Sequence, residues 1–384
     1  MGPLNTGAVH REGEGSWAAD IACKKELLTA VNKRGSFWSM ASRKNPESRR
    51  GNAQFASDPD GGDLVTSRGG AIAPETAGLR PKLNAAYIHI APRSMPLPVL
   101  LAVPHAGRAY PGETLANMRD AEQSQLRLED RHVDRVAVEI ARATGTGLLV
   151  AQAPRALLDL NRAEDDIDWE MVAGKDSDGA KRIFRRGKPR PVGTNARARS
   201  GLGLVPRRLP GFGEIWRAKL PREELERRID RIHRPYHSFL ERELARIRDE
   251  WGAALLIDLH SMPPLRRSGG EERAPRIVVG DRFGASCHST LVGAAFRYLD
   301  EAGVEAAHNR PYSGGYVLDR HSAPSRGLHC IQIELCRSTY LDAALSEPTQ
   351  SVEPLAKMLA GLVRELGAET AGLGAGGQIA QAAE

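Results

Sequence analysis

The chain has 384 residues, a formal net charge of +6 and 5% aromatic residues. Its length allows one α/β domain of about 250 residues or more with a large core. The positive charge would suit nucleic acid, but the arginines are dispersed and few aromatics accompany them, so the expected partner is a small acidic molecule and not nucleic acid.

The two ends of the chain lack the apolar periodicity of packed elements. Residues 1–90 are rich in Gly, Ser, Arg and Asp, and only a short helix at 18–31 is predicted there. We expect a loosely packed or disordered extension at 1–90, a catalytic domain at 91–367, and a disordered tail at 368–384, where Ala and Gly recur.

Between these ends, apolar runs alternate with helical patterns, as in the βα units of a largely parallel sheet. Strands are predicted at 99–103, 147–151, 253–259, 276–280 and 329–335. Helices are predicted at 129–143, 221–251, 285–302 and 353–366, and Pro235 should kink or divide the second of them. The expected fold is a single three-layer α/β domain with a mixed, mostly parallel sheet.

Cysteine spacing and hydropathy indicate the cellular compartment in which the protein is expected. The four cysteines, at positions 23, 287, 330 and 336, form neither a CxxC pair nor a dense disulfide pattern. No apolar stretch reaches the roughly 18 residues of a membrane span, and the first residues lack a signal-peptide core. We therefore expect reduced thiols, a cytoplasmic location and no membrane partner.

Two histidines stand at the ends of apolar strands. His105 follows the run at 99–103 and His260 ends the run at 254–259, where open α/β sheets place their sites. A catalytic zinc takes three His or carboxylate ligands, so both are predicted to bind one Zn²⁺ per chain. Each histidine alone could equally be a hydrogen-bonded core residue.

The third ligand is expected in the acidic segment 129–134. We choose Asp130 and keep Glu129 as its alternative, while Asp134 lies one helical turn after Asp130. A solvated acidic start of a helix would explain the same residues.

A lone carboxylate, Glu334, interrupts the apolar strand at 331–335 and is costly to bury without compensation. It fits a general base that takes a proton from water and passes it to the leaving nitrogen. The alternative is a buried ion pair with Arg337.

Substrate-binding groups are expected in two loops. Arg162, beside Asn161, could clamp a carboxylate of the substrate, although Arg162 could instead pair with Asp159. The turn-rich segment at 308–316 offers a flexible lip with Tyr312, Ser313 and Gly314. The candidates for binding a second carboxylate are Arg155, Arg310 and Arg337. The segment 181–208 holds ten basic residues and no acidic one, which would attract anions or form a solvated loop.

Several of these blocks recur together in one family. They are 103–107, 129–134, 159–162, 234–237 (Arg-Pro-Tyr-His), 257–262, 311–316 and 331–335. In this order they resemble the N-formylglutamate amidohydrolases, part of the wider zinc-carboxypeptidase and aspartoacylase-like group, over about residues 97–345. The family often has Ser where this chain has Ala106.

The resemblance implies a zinc site at the carboxyl edge of an α/β sheet and hydrolysis of N-formyl-L-glutamate to formate and L-glutamate, a step of histidine degradation. It implies that His105 and His260 are ligands, that Glu334 is the base, and that Asn161 and Arg162 bind the carboxylate. The alternative on the same scaffold is a zinc carboxypeptidase or an amidase acting on another N-acyl amino acid or a cell-wall peptide. A non-catalytic anion- or nucleic-acid-binding protein is the remote alternative.

Overall fold

The computed structural model describes residues 64–74, 79, 81–174, 196–265 and 274–382. The helix predicted at 18–31 and the first part of the basic segment 181–208 lie outside these described residues. Among the helices within them, none combines the length and the hydropathy needed to cross a membrane.

Ten strands are described. Their bounds are β1 Leu64–Gly69, β2 Tyr87–Pro92, β3 Val99–Val103, β4 Gly147–Ala151, β5 Arg208–Leu209, β6 Gly213–Glu214, β7 Ala254–Met262, β8 Ile277–Gly280, β9 Ala306–His308 and β10 Leu328–Cys336. Strands β5 and β6 form a small hairpin, and the other eight form one sheet in the order β1-β2-β4-β3-β7-β10-β8-β9. The four central strands run parallel, whereas β2 and β8 join them in antiparallel pairs.

The α-helices of the described part of the chain are α1 Pro81–Asn84, α2 Gly112–Asn117, α3 Ala121–Leu128, α4 Val133–Thr144, α5 Ala196–Arg199, α6 Arg222–Arg228, α7 Arg234–Trp251, α8 Ser289–Glu301, α9 Tyr316–His321 and α10 Val352–Ala382. A π-helical turn, Ile229–His233, joins α6 to α7. Pro235 has no N–H group to continue the α-helical hydrogen bonds. The predicted division of this helix is therefore present, as the π-helical turn that comes directly before Arg234 and Pro235.

Both faces of the central sheet are covered, which explains why its strands are apolar throughout. In β3, Leu100 and Ala102 pack in a core that includes α7, whereas Val99, Leu101 and Val103 pack in a core with α4, α8 and α10. All five predicted strands lie in this sheet. The predicted three-layer α/β fold with a mixed, mostly parallel sheet is confirmed.

The ordered elements extend beyond the bounds expected for the domain. Strand β1 and most of β2 lie within the predicted extension 1–90, where the polar composition obscured two antiparallel strands at the edge of the sheet. Helix α10 continues past Leu366 into the predicted tail, because small residues there permit close packing. A Cβ at Gly374 would lie 2.1 Å from the carbonyl oxygen of Trp251, so glycine lets the helix contact that turn.

Candidate metal centre and substrate site

His105 lies in a tight turn directly after β3. A Cβ at Gly107 would lie 2.1 Å from the carbonyl oxygen of Ala153, so only glycine allows the two backbones to approach in this way. His260 lies near the end of the neighbouring strand β7, and Glu334 on β10 is its partner in register. The topology thus places all three side chains at the carboxyl edge of the parallel strands.

Asp130 reaches the same edge from a turn, and not from a helix as the sequence pattern predicts. Helix α4 begins only at Val133, and His132 adopts a left-handed conformation before it, with φ of 57°. The backbone N–H of Asp130 donates to the carbonyl oxygen of His105 at 3.0 Å, which ties the two loops together. The predicted helix start at residue 129 is therefore four residues too early.

The two other carboxylates of this segment have different partners. Glu129 accepts a hydrogen bond from Arg131 at 3.2 Å, and Asp134 pairs with Arg108 at 2.8 Å. Burial raises the pKa of Glu129, against the charges of nearby arginines. Of the three acidic residues, Asp130 is therefore the one whose carboxylate faces the histidines.

Three ligand atoms converge within 4.8 Å of one another in the cluster His105, Asp130 and His260. The two Nδ1 atoms are 3.1 Å apart, and Oδ2 of Asp130 lies 3.1 Å from Nδ1 of His260 and 3.5 Å from Nδ1 of His105. Metal–nitrogen distances of about 2.0–2.1 Å in a tetrahedral site put two ligand nitrogens about 3.3 Å apart. The cluster therefore fits a small divalent cation.

The opposite nitrogen of each ring contacts a carboxylate. Nε2 of His105 lies 2.8 Å from Oδ1 of Asp159, and Nε2 of His260 lies 2.9 Å from Oδ2 of Asp258. Such carboxylate partners fix the orientation and tautomer of a metal-binding imidazole and increase its basicity. Both Nδ1 atoms are thereby directed toward Asp130 as lone-pair donors.

Charge within the cluster favours a cation. In the metal-free protein both rings can also donate from Nδ1: burial raises the pKa of Asp130, but hydrogen bonds from His105 and His260 outweigh it and hold that pKa well below its usual value. Burial likewise raises the pKa of Asp159, and Arg155 and His105 outweigh it in the same way. Metal ligands bind in their deprotonated form, so carboxylates that remain ionised when buried suit a metal site.

Glu334 is buried beside this cluster. Its Oε1 accepts a hydrogen bond from the side chain of Gln332 at 3.0 Å, and burial raises its pKa to about 7, against the charge of His260. Within the described ranges no arginine forms an ion pair with Glu334, so the alternative of a pair with Arg337 is not realised. A carboxyl group with a pKa near neutrality can both accept and return a proton at physiological pH.

Arg155 carries the positive charge that faces these carboxylates. Its Nε donates to Oδ2 of Asp159 at 2.9 Å. Burial lowers the pKa of Arg155, but the charges of Asp159, Asp130 and Glu334 outweigh it and raise the pKa. Arg155 therefore remains a cation beside both the metal cluster and Glu334.

The predicted clamp pair lies directly after Asp159. The backbone N–H of Asn161 donates to Oδ1 of Asp159, and the Asn161 side chain accepts from the backbone N–H of Val317 at 3.0 Å. Arg162 donates from Nε to the carbonyl oxygen of Leu202 at 3.0 Å and lies 3.8 Å from Asp166, and its charge helps to lower the pKa of Asp159. Both residues thus belong to the loop that orients His105.

Arg337 is bound to the turn of the third ligand. It donates to the carbonyl oxygen of Glu129, to Oδ1 of Asp130 at 3.3 Å and to Oγ of Ser261 at 3.1 Å. These bonds hold in place the turn that carries Asp130. The contact between Arg337 and the substrate stays a prediction.

The predicted lip at 312–314 lies against the sheet beyond β8. Burial raises the pKa of Tyr312, and the charges of Glu334 and Asp130 raise it further, which places the phenol near the metal cluster. The carbonyl oxygen of Ser313 accepts from the backbone N–H of Arg282 at 2.8 Å. Gly314 has a φ of +98°, a conformation that side chains rarely permit.

The structure gives roles to two residues that the sequence pattern does not single out. The sequence predicts Asp159 only as an alternative partner of Arg162, and it predicts no role for Gln332. The signal in the sequence for Asp159 is its place in the loop after the strand predicted at 147–151, which pairs with the strand that precedes His105, so that a carboxylate there could reach the ring. Gln332 shares a strand face with Glu334 because residues two apart point the same way.

The chain is similar to several known proteins. The family model described as N-formylglutamate amidohydrolase matches residues 97–341. An N-formylglutamate deformylase of Pseudomonas putida is 29% identical over 67% of this chain and 89% of its own length, and one of Pseudomonas aeruginosa is 28% identical over 67% and 90%. The crystal structure of an N-formylglutamate amidohydrolase from Ralstonia eutropha JMP134 aligns with a TM-score of 0.63 at 29% identity, covering 74% of this chain and 97% of that one.

Proposed function

The chain belongs to the N-formylglutamate amidohydrolase family, and we propose that it hydrolyses N-formyl-L-glutamate to formate and L-glutamate with one Zn²⁺ held by His105, Asp130 and His260. The observation that carries the proposal is the convergence of these three ligand atoms next to Glu334, the in-register neighbour of His260. The names of the relatives support the choice of substrate.

The choice of zinc rests on the donor set. Two imidazoles and one carboxylate are the ligands of catalytic zinc in hydrolytic enzymes, which leave a further coordination position open. When bound there, zinc supplies a Lewis acid that lowers the pKa of water and polarises the formyl carbonyl. Asp159 and Asp258 keep the two rings oriented for this metal.

Glu334 acts as the general base. Its carboxylate takes a proton from the water that attacks the formyl carbon, and it returns that proton to the nitrogen of the leaving glutamate. The pKa of about 7, raised by burial, matches both transfers. The hydrogen bond from Gln332 holds Oε1 and leaves the second carboxylate oxygen for water.

Positive charge around the cluster binds the substrate and stabilises the tetrahedral oxyanion. Arg155 lies close enough to Asp130 and Glu334 to interact with the developing oxyanion, a contribution that is often the largest in such catalysis. Asn161 and Arg162 bind the α-carboxylate. Arg337 and the lip of Tyr312, Ser313 and Gly314 complete the substrate site.

The biological setting follows from this substrate. Formate release from N-formylglutamate is a step of histidine degradation, so we place the enzyme in that pathway and in the cytoplasm. The partner that we propose is the small acidic N-acyl amino acid substrate.

The first test is glutamate release from N-formyl-L-glutamate by zinc-reconstituted protein, compared with Glu334→Gln. The variant keeps the shape and the bond to Gln332 but cannot take a proton, so kcat should fall by about 10²–10⁴-fold. Metal content, measured by elemental analysis, should remain equal in both proteins.

Other outcomes would redirect the proposal. A zinc-bound protein that releases no glutamate would point to the carboxypeptidase or amidase alternative, which a panel of N-acyl amino acids and peptides would identify. Wild-type turnover by Glu334→Gln would remove Glu334 from the role of base.

A further inference from the structure

The motif at 234–237 lies on a helical face that contacts the substrate loop, and none of its residues belongs to the cluster of His105, Asp130 and His260. The helical stretch α6, π turn and α7 donates hydrogen bonds to the loop 157–164 at successive points. The donor–acceptor pairs are Arg228 to the carbonyl oxygen of Leu157 at 3.0 Å, His237 to that of Leu160 at 3.0 Å, His233 to that of Arg162 at 2.8 Å, and Arg234 to the carboxylate of Glu164 at 2.8 Å. Two of these bonds flank Asn161.

Both histidines of this face must donate from Nε2, because a carbonyl oxygen can only accept. His233 and His237 are buried, and burial lowers both pKa values, that of His233 to about 4, so each ring is neutral. Nδ1 of His237 is then an acceptor, and Nε2 of His321, 3.0 Å away, donates to it.

His321 links this face to the lip. It is the last residue of α9, and Val317 in the first turn of the same helix donates to the side chain of Asn161. Gly315, which precedes α9, lies so close that a Cβ there would be 2.5 Å from Oδ1 of Asn161. Asn161 is therefore held from one side by His237 through Leu160 and from the other by α9.

The local fold explains why both rings point the same way. His233 and His237 are four residues apart, a spacing that puts side chains on one face of a helix, and their ring centroids are 4.3 Å apart. The π turn that ends at His233 shifts the helical register before Pro235. π-helical turns often occur where a side chain must be placed for function.

We propose that His233 and His237, supported by His321, are positioning residues that hold Asn161 and Arg162 in the geometry required to bind the α-carboxylate of the substrate. The inference rests on the proposed function for the identity of the bound carboxylate. The histidines do not touch the substrate; they act through the carbonyl groups on either side of Asn161. A shift of the loop should weaken capture of the carboxylate more than it affects chemistry at the metal.

The test compares His237→Gln with His237→Asn. Glutamine can place its N–H₂ where Nε2 of the ring lay and keep the bond to Leu160, whereas asparagine reaches only the position of Nδ1 and loses that bond. With N-formyl-L-glutamate, we expect KM to rise about tenfold or more in His237→Asn with a smaller change in kcat, and to stay within about threefold of wild type in His237→Gln. Zinc content should be equal in all proteins.

A second substrate separates positioning from general damage. N-formyl-L-isoglutamine carries a neutral amide in place of the α-carboxylate, so kcat/KM for it should be nearly the same in wild type and both variants. The preference for the acid over this amide should fall about tenfold in His237→Asn only. An equal loss on both substrates, or no rescue by glutamine, would overturn the proposal.

Amide hydrogen exchange tests the loop without any turnover. Residues 157–164 should exchange faster in His237→Asn than in His237→Gln or wild type, and unchanged exchange would also overturn the proposal. Wild-type protein without activity on formylglutamate would refute the proposed function, while the exchange data would still decide whether the histidines hold the loop.

Two further variants keep the test decisive. If His237→Asn fails to fold, the same comparison is made with His233→Gln and His233→Asn. Nδ1 of His233 has no hydrogen-bond partner in the described structure, so the two variants differ only in whether they keep the bond that Nε2 donates to Arg162. Arg246→Ala, on the solvent side of α7, is the control and should leave both substrates and the exchange of the loop unchanged.

Discussion

Two pairs of buried histidines in this protein have nearly the same spacing and opposite character. Nδ1 of His105 lies 3.1 Å from Nδ1 of His260, and Nδ1 of His237 lies 3.0 Å from Nε2 of His321. In the first pair the outer nitrogens contact carboxylates; in the second, the outer nitrogen of His237 contacts a carbonyl oxygen. Burial is common to both pairs and cannot explain the difference.

The partners of the rings decide their chemistry. Burial lowers the pKa of His260, but Asp258 and Asp130 outweigh it and raise the pKa well above its usual value, so this position tolerates positive charge. Around His237, burial and the neighbouring rings of His233 and His321 all lower the pKa, so that ring stays neutral. The first arrangement can hold a cation, and the second can only donate and accept hydrogen bonds.

The largest effect should come from His260→Ala, which removes one ligand of the cluster that tolerates charge. Metal affinity should fall by more than about 100-fold, beyond the loss typical for an outer partner, and turnover should fall to background. Elemental analysis together with glutamate release measures both quantities. A variant that folds, retains zinc and turns over substrate would contradict the assignment of His260 as a ligand.

A smaller effect is expected when only the partner of a ligand is changed. Asp159→Asn replaces the carboxylate that accepts from His105 by a neutral amide, and metal affinity should fall by about 10–100-fold. Competition with a chelator measures it. The matched change Asp168→Asn alters a carboxylate that pairs with Arg207 away from the cluster and should leave metal affinity at the wild-type level.

The smallest effect concerns the free energy of unfolding at low pH, to which the two histidine pairs contribute with opposite signs. A raised pKa at His260 stabilises the metal-free fold at low pH, and this contribution is lost as pH rises through the folded pKa. The lowered pKa of His321, about 3 instead of 6.5, acts in reverse: the unfolded chain binds a proton that the folded chain does not, so stability falls as pH drops below 6.5.

The contribution of His321 to stability is measured from the melting temperatures of metal-free wild type and His321→Gln between about pH 7 and pH 5. The stability that wild type holds over the variant should shrink by up to about 1.4 kcal/mol per pH unit as pH falls, because glutamine has no proton to gain. A gap that stays constant across this range would show that His321 is protonated in the fold.

Much of the site could be predicted from single residues at strand ends. His105, His260 and Glu334 each follow or interrupt an apolar strand, and the parallel sheet brings such positions to one edge. The sequence alone does not decide between Asp130 and Glu129 as the third ligand, because a helix from residue 129 would have placed the acidic side chains differently. The structure favours Asp130 because α4 starts later, at Val133, and leaves Asp130 in a turn bonded to His105.

The sequence by itself determined the α/β class, the family and the kinds of residue at the carboxyl edge, because alternating apolar runs and strand-end polar groups are local patterns. Only the tertiary structure decided that Asp159 orients the ring of His105 and that His233, His237 and His321 support the substrate loop. These contacts join residues more than 50 positions apart, and a histidine has the same local pattern whether its distant partner is a carboxylate or a carbonyl oxygen.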